Sequence, residues 1–231
     1  MPNLYVIGGC NGAGKTTVAL TMLPGYLDCH EFVNADLIAA GLSPSRVESV
    51  ALQAGRLMLA RMNKLRNAGV DFAFESTLAS RSFAPFLKSC QHRGYAVHLL
   101  YIRLNHVELA IQRVANRVLE GGHNIPEDTI RRRYETGRHN FLELYLPLAD
   151  EWRVFDNTTL PQLIAEGNKL QQPTTPQLGK SPAPEVESKN EITRRMLEGA
   201  RVAVASALEK QQSSIQFISA QESFQEKREV D

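Results

Sequence analysis

Residues 6–17 read VIGGCNGAGKTT, and an apolar run, LYVI, leads straight into the glycines. Gly9, four residues, Gly14, Lys15 and Thr16 fit the spacing G-x-x-x-x-G-K-[ST]. A strand that ends in such a turn and passes into a helix points several backbone N–H groups at one spot. That spot lies at the positive end of the helix dipole, so it is a cradle for phosphate. Gly9, Gly12 and Gly14 supply backbone freedom and close approach, while Asn11, Ala13 and Thr17 complete the loop. Lys15 is placed to reach the β and γ phosphates, and the Thr16 hydroxyl to hold Mg²⁺.

Outward from this loop, short apolar runs alternate with helical patterns. LYVIGG, EFVNAD, DFAFES, AVHLLYIRL and WRVFDN read as strands, and none alternates cleanly. That is how strands buried on both faces look. Helical spacing predicts helices over residues 15–23, 44–67, 82–92, 106–119 and 126–146, each closed by a Pro or Gly signal or by the next strand. The expected fold is α/β: a parallel five-stranded sheet flanked by helices, of the P-loop nucleotide-kinase type with a helical lid. The kinase-like domain is expected over residues 1–169. The stretch 170–190, rich in Pro, Ser, Thr and Gln, reads as a flexible linker. Residues 191–212 carry Ile192, Met196, Ala200, Val204 and Leu208 four apart, an amphipathic helix that extends the fold. Residues 213–231 read as a disordered tail.

Composition narrows the function classes. The chain has 231 residues, 43% hydrophobic, with 26 Lys and Arg against 25 Asp and Glu, a formal charge of +1. No field of one sign draws it to nucleic acid or to acidic lipid. No run is long and apolar enough for a membrane span, and no secretory pattern opens the chain, so a cytoplasmic location is expected. Three scattered cysteines fit a reducing compartment rather than a disulfide framework or zinc site. Cys10, inside the loop, reads as a small residue in a tight turn.

Two acids fall at strand ends, where open parallel sheets bind ligands. Asp36 follows EFVNA and Glu75 follows DFAF. Either carboxylate can accept a proton from an attacking hydroxyl or hold Mg²⁺ through water. The structural alternative for Asp36 is a helix N-cap. Glu75 is followed by Ser76 and Thr77, which makes a polar cluster, and FAFE is the nearest match to a Walker B strand. Arg113 and Arg117 border the apolar stripe of the fourth helix, and Arg133 borders that of the fifth. Cations beside a buried stripe suit a cleft holding phosphate, and GGHNIP between the helices lets the pair close as a lid. A GTPase base-reading motif and an ABC signature are both missing, which leaves the small-molecule kinases.

The segments GGCNGAGKTT, FVNADLIAAGLSP, FAFESTLASR, RVANRVLEGGHNIPEDTIRRRY and DEWRVFDN, in that order, resemble the zeta-toxin family of P-loop kinases. The resemblance implies a kinase fold that uses ATP and Mg²⁺; in toxin members the acceptor is UDP-N-acetylglucosamine. It implies Asp36 as catalytic base, Lys15 as the P-loop lysine and Arg113 as a phosphate-binding arginine. Glu75 and Thr77 match the acid and hydroxyl that hold the acceptor. His123 stands where a second lid arginine is expected, with Arg117 or Arg133 as its replacement. Arg81 stands in for a displaced acceptor-side arginine. Any antitoxin is expected as a separate protein chain. The expected function is ATP-dependent phosphoryl transfer to a hydroxyl of a small molecule. The alternatives are a kinase of another metabolite and a nucleotide-binding interaction module without transfer.

Overall fold

A computed structural model describes residues 1–159 and 161–169. The linker, the amphipathic helix and the tail expected over 170–231 lie outside the described residues. The order is β1 (Asn3–Gly8), α1 (Lys15–Tyr26), β2 (Phe32–Val33), α2 (Ala35–Leu42), α3 (Ala51–Ala68), β3 (Phe72–Ser76) and α4 (Phe83–Gln91). Then follow β4 (Ala96–Arg103), α5 (Val107–Leu119), α6 (Glu127–Asn140), β5 (Glu151–Asp156) and β6 (Gln162–Asn168). The sheet order is β2-β3-β1-β4-β5-β6. The first five are parallel, as the non-alternating apolar runs require, and β1 is central, pairing with β3 and β4.

Alternate residues of the strands feed two cores. Tyr5, Ile7, Leu100 and Ile102 pack on α1 and α5. Leu4, Val6, Phe72 and Phe74 pack on α3, α4 and the chain after α6. Leu4, Val6, Ile7, Phe72 and Phe74 are wholly buried. Burying such a side chain contributes about 1.5–3 kcal/mol, so these central strands fix the platform on which the loop ends stand.

The structure departs from the expected elements in four places. First, β6 pairs antiparallel to β5 and covers its edge, with a bulge between Val154 and Phe155. Its sequence, QLIAEGN, holds few strong strand formers. Pairing with an edge that would otherwise expose its backbone groups decides it. Second, α1 runs through Pro24 to Tyr26. The carbonyl that Pro24 cannot serve belongs to exposed Leu20, on the water-facing side. Third, the helix expected over 44–67 begins only at Ala51, after a 3₁₀ turn at Val47–Val50. Fourth, α6 stays regular only to Asn140, then widens through Phe141–Tyr145 before a short turn at Leu146–Leu148. The wider turn lets Phe141 stack on Tyr101, centroids 4.1 Å apart, while Tyr145 donates to the Ser80 carbonyl.

Candidate active site

The loop after β1 closes as its spacing requires. Gly14 caps α1 with φ 86°, and Gly12 has φ 75°. A Cβ on Gly12 would come 2.8 Å from the Ala110 carbonyl of α5, so a side chain there would push the lid helix off the loop. The loop is pinned from the end of β5 as well, where Asn157 donates to the Ala13 carbonyl at 2.9 Å.

Lys15, 6% exposed, donates to the Cys10 carbonyl at 2.9 Å and stands 3.6 Å from Glu75 Oε1. Thr16 donates its hydroxyl proton to Glu75 Oε2 at 2.6 Å and accepts only a long bond, 3.5 Å, from Asn34 Nδ2, which leaves its oxygen a lone pair for a cation. Asn34, at the end of β2, is 4% exposed and donates to the same Glu75 oxygen at 2.8 Å. Its own oxygen accepts from Asp36 N at 2.7 Å and Leu37 N at 3.1 Å. The cap of α2 is therefore Asn34, and the capping alternative for Asp36 is corrected. Asp36 lies in the first turn with its side chain exposed, where a carboxylate is favoured by the helix N-terminus.

Lys15, Asn34, Asp36 and Glu75 line one pocket of about 180 Å³. Asn11, Lys15, Asp36, Glu75, Thr77 and Arg133 share it, with Met58 and Phe83 as an apolar wall. Arg133 reaches Asn11 Oδ1 at 3.5 Å. Among the described residues no cluster of three or more His, Cys, Asp or Glu could hold a metal by itself. A hard cation fits a different arrangement: one hydroxyl oxygen and one carboxylate, with phosphate completing the shell. Thr16 and Glu75 supply that pair.

The predicted arginines separate. Arg113, half-buried beside Gly12, donates to the Thr158 carbonyl at 3.1 Å. Burial pushes its guanidinium pKa down, with the neighbouring Cys10 acting against that. Arg117 donates to the His123 carbonyl at 3.2 Å and so holds the turn between α5 and α6, outside the pocket. Arg81 is exposed and does not line the pocket. Thr77 does line it, on a loop stitched to α6: Asn140 donates to the Leu78 and Ala79 carbonyls at 2.9 and 3.2 Å. Asn34, Asn140 and Asn157 were missed in the sequence. The backbone partners of Asn140 and Asn157 lie far away along the chain, and Asn34, though it caps the helix directly after it, meets Glu75 across 41 positions.

Three comparisons place the chain among known proteins. The profile described as Zeta toxin matches residues 1–167. An uncharacterised protein of Haemophilus influenzae is 32% identical over 126 residues, 54% of this chain and 88% of that one. Among solved structures, the AvrRxo1-ORF1:-ORF2 complex with ATP has TM-score 0.59 at 16% identity, covering 89% of this chain and 80% of that chain. The PezAT chromosomal toxin-antitoxin system of Streptococcus pneumoniae has TM-score 0.55 at 15% identity, covering 88% and 87%. At those identities the likeness is one of fold.

Proposed function

The chain belongs to the zeta-toxin family, and on that premise we propose that it moves the γ-phosphate of ATP to a hydroxyl of a small molecule. The observation that carries this reading is the meeting of Lys15, Glu75 and Asp36 in one pocket, with Thr16 bonded to Glu75 beside it. The loop N–H groups and Lys15 bind the phosphates. Lys15 turns from Glu75 and the Cys10 carbonyl toward the nucleotide. Thr16, with Glu75 beside it, would hold Mg²⁺, which supplies neutralising charge at the phosphates.

Asp36 accepts the proton of the acceptor hydroxyl. The acceptor oxygen bonds to the γ-phosphorus, the bond from that phosphorus to the β–γ bridging oxygen breaks, and ADP leaves. Arg133, which lines the pocket from α6, meets the growing negative charge, and Arg113, beside Gly12 on α5, would join it by leaving the Thr158 carbonyl. Met58 and Phe83 keep water from the reacting oxygen.

UDP-N-acetylglucosamine is the first acceptor to test, with Thr77 and Glu75 on the acceptor side of the pocket. A partner that blocks the loop, as a separate antitoxin chain, fits the same reading. The experiment mixes pure protein with ATP, Mg²⁺ and UDP-N-acetylglucosamine and seeks by mass spectrometry a product one phosphate heavier. ADP formed only with another hydroxyl compound would move the acceptor to that compound. No ADP with any acceptor would overturn the kinase reading.

A further inference from the structure

We infer that Asn34 is a positioning residue that holds Glu75 in place once the other groups bonded to that carboxylate have turned to the nucleotide. The inference rests on the proposed phosphotransfer. Glu75 has three cationic or hydrogen-bonding neighbours: Thr16 at 2.6 Å, Asn34 at 2.8 Å and Lys15 at 3.6 Å. Two of them, Lys15 and Thr16, are the groups the phosphate site claims. Asn34 is the neighbour with no such second duty. It lines the pocket wall, 4% exposed; its oxygen is already spent on two backbone N–H groups of α2, and its NH₂ also reaches Thr16 Oγ1 at 3.5 Å.

The chemistry of the side chain explains the choice of residue. An amide has an acceptor at one end and donors at the other. The two backbone donors fix which end faces α2, so the NH₂ must face Glu75. One small side chain thus ties the helix that carries Asp36 to the strand end that carries Glu75, and sets the spacing of the two acids. Serine and aspartate also cap helices well, but neither ionised aspartate nor serine does both jobs. Serine is too short to brace Glu75. Aspartate would set a second carboxylate oxygen against Glu75 Oε2, and such a pair retains one proton between its members.

The test uses the full chain with Asn34→Ser and Asn34→Asp. Asn34→Ser keeps the cap and leaves Glu75 its contacts with Thr16 and Lys15, so its melting temperature should fall by about 2–8 °C, which leaves the chain folded at 25 °C. Its transfer rate should fall about tenfold to a hundredfold, the range of a lost hydrogen bond to a charged group. The gain in affinity for a fluorescent ATP analogue on adding Mg²⁺ should shrink by a similar factor, since Glu75 then lacks its brace beside Thr16. Asn34→Asp sets a carboxylate against Glu75 in place of a donor, so its rate at neutral pH should fall further than that of Asn34→Ser. A purely structural role would not move the Mg²⁺ gain.

Asn34→Ser with wild-type rate and wild-type Mg²⁺ gain overturns the inference. So does a melting temperature low enough to leave Asn34→Ser partly unfolded at the assay temperature. The kinase reading fails differently, when the wild-type chain makes no product and no ADP; the Mg²⁺ gain then still decides the role of Asn34.

Discussion

Asn140→Ala should unlatch the acceptor-side loop and destabilise the domain by an amount the geometry sets. Asn140 is 3% exposed, and its amide donates to the Leu78 and Ala79 carbonyls at 2.9 and 3.2 Å. Leu78 is wholly buried with φ 57°, a left-handed conformation that costs a branched side chain about 1–2 kcal/mol. The latch is part of what holds it there, together with Leu78 N donating to Ser76 Oγ at 3.0 Å. Each bond contributes about 1 kcal/mol, and the Leu78 carbonyl left buried without a donor adds about 1–2. The sum is about 3–4 kcal/mol. For a domain of this size that lowers the melting temperature by roughly 5–15 °C. Urea unfolding should show a lower midpoint with an unchanged slope, since the surface exposed on unfolding is the same. Asn140→Asp should be worse at neutral pH, because a carboxylate would face two carbonyl oxygens. It should recover in part as the pH falls and the acid gains a proton it can donate. A shift below about 2 °C in Asn140→Ala, or an Asn140→Asp as stable as wild type at pH 7, would refute the latch.

The remaining predictions concern chemistry and titration. Lys15→Ala and Asp36→Asn should each abolish transfer, but only Asp36→Asn should still bind ATP by calorimetry. An Asp36→Asn that transfers at the wild-type rate would sink the base assignment. Asp150 is partly buried, which raises its pKa. Donation from Lys169, the Val97 N–H and Gln91 outweighs that and holds it below 3.8. Its stabilisation is therefore present above pH 3.8 and lost as the pH falls through the lower folded value. Asp150→Asn should lower the urea midpoint at pH 7 and match wild type in strong acid; an equal deficit at both pH values counts against it. Burial pushes the Cys10 thiol up, and Cys29 and Cys90 up to about 11, and all three are free and buried. Native protein should react slowly with iodoacetamide at pH 8, and denatured protein at all three thiols. Fast native labelling of Cys10 would count against its reading as a small residue shut in a tight turn.

The loop VIGGCNGAGKTT determined, without any tertiary information, that a strand runs into a phosphate cradle and then a helix. The constraint is local, because positive φ at Gly12 and Gly14 and one lysine after them are all the cradle needs. The buried strands and their parallel order were legible for the same kind of reason: unbroken apolar runs between helices leave few other sheets to build. Asp36, Glu75, Thr77 and Arg133 were found as residues, because acids at strand ends and arginines beside apolar stripes leave a trace along the chain.

Their partnership was not legible. Glu75 meets Thr16 across 59 positions and Asn34 across 41, and only the packing of β2 and β3 beside β1 brings them together. The same holds for the lid. Arg113 and Arg117 look alike in sequence, four apart on one stripe border. The tertiary structure gives Arg113, beside Gly12, to the Thr158 carbonyl and Arg117 to the His123 carbonyl. β6 likewise owes its strand to the open edge of β5 rather than to its own residues. Short-range rules fix backbone geometry and burial. Which polar group meets which across the sheet depends on register and helix placement, which no local spacing encodes.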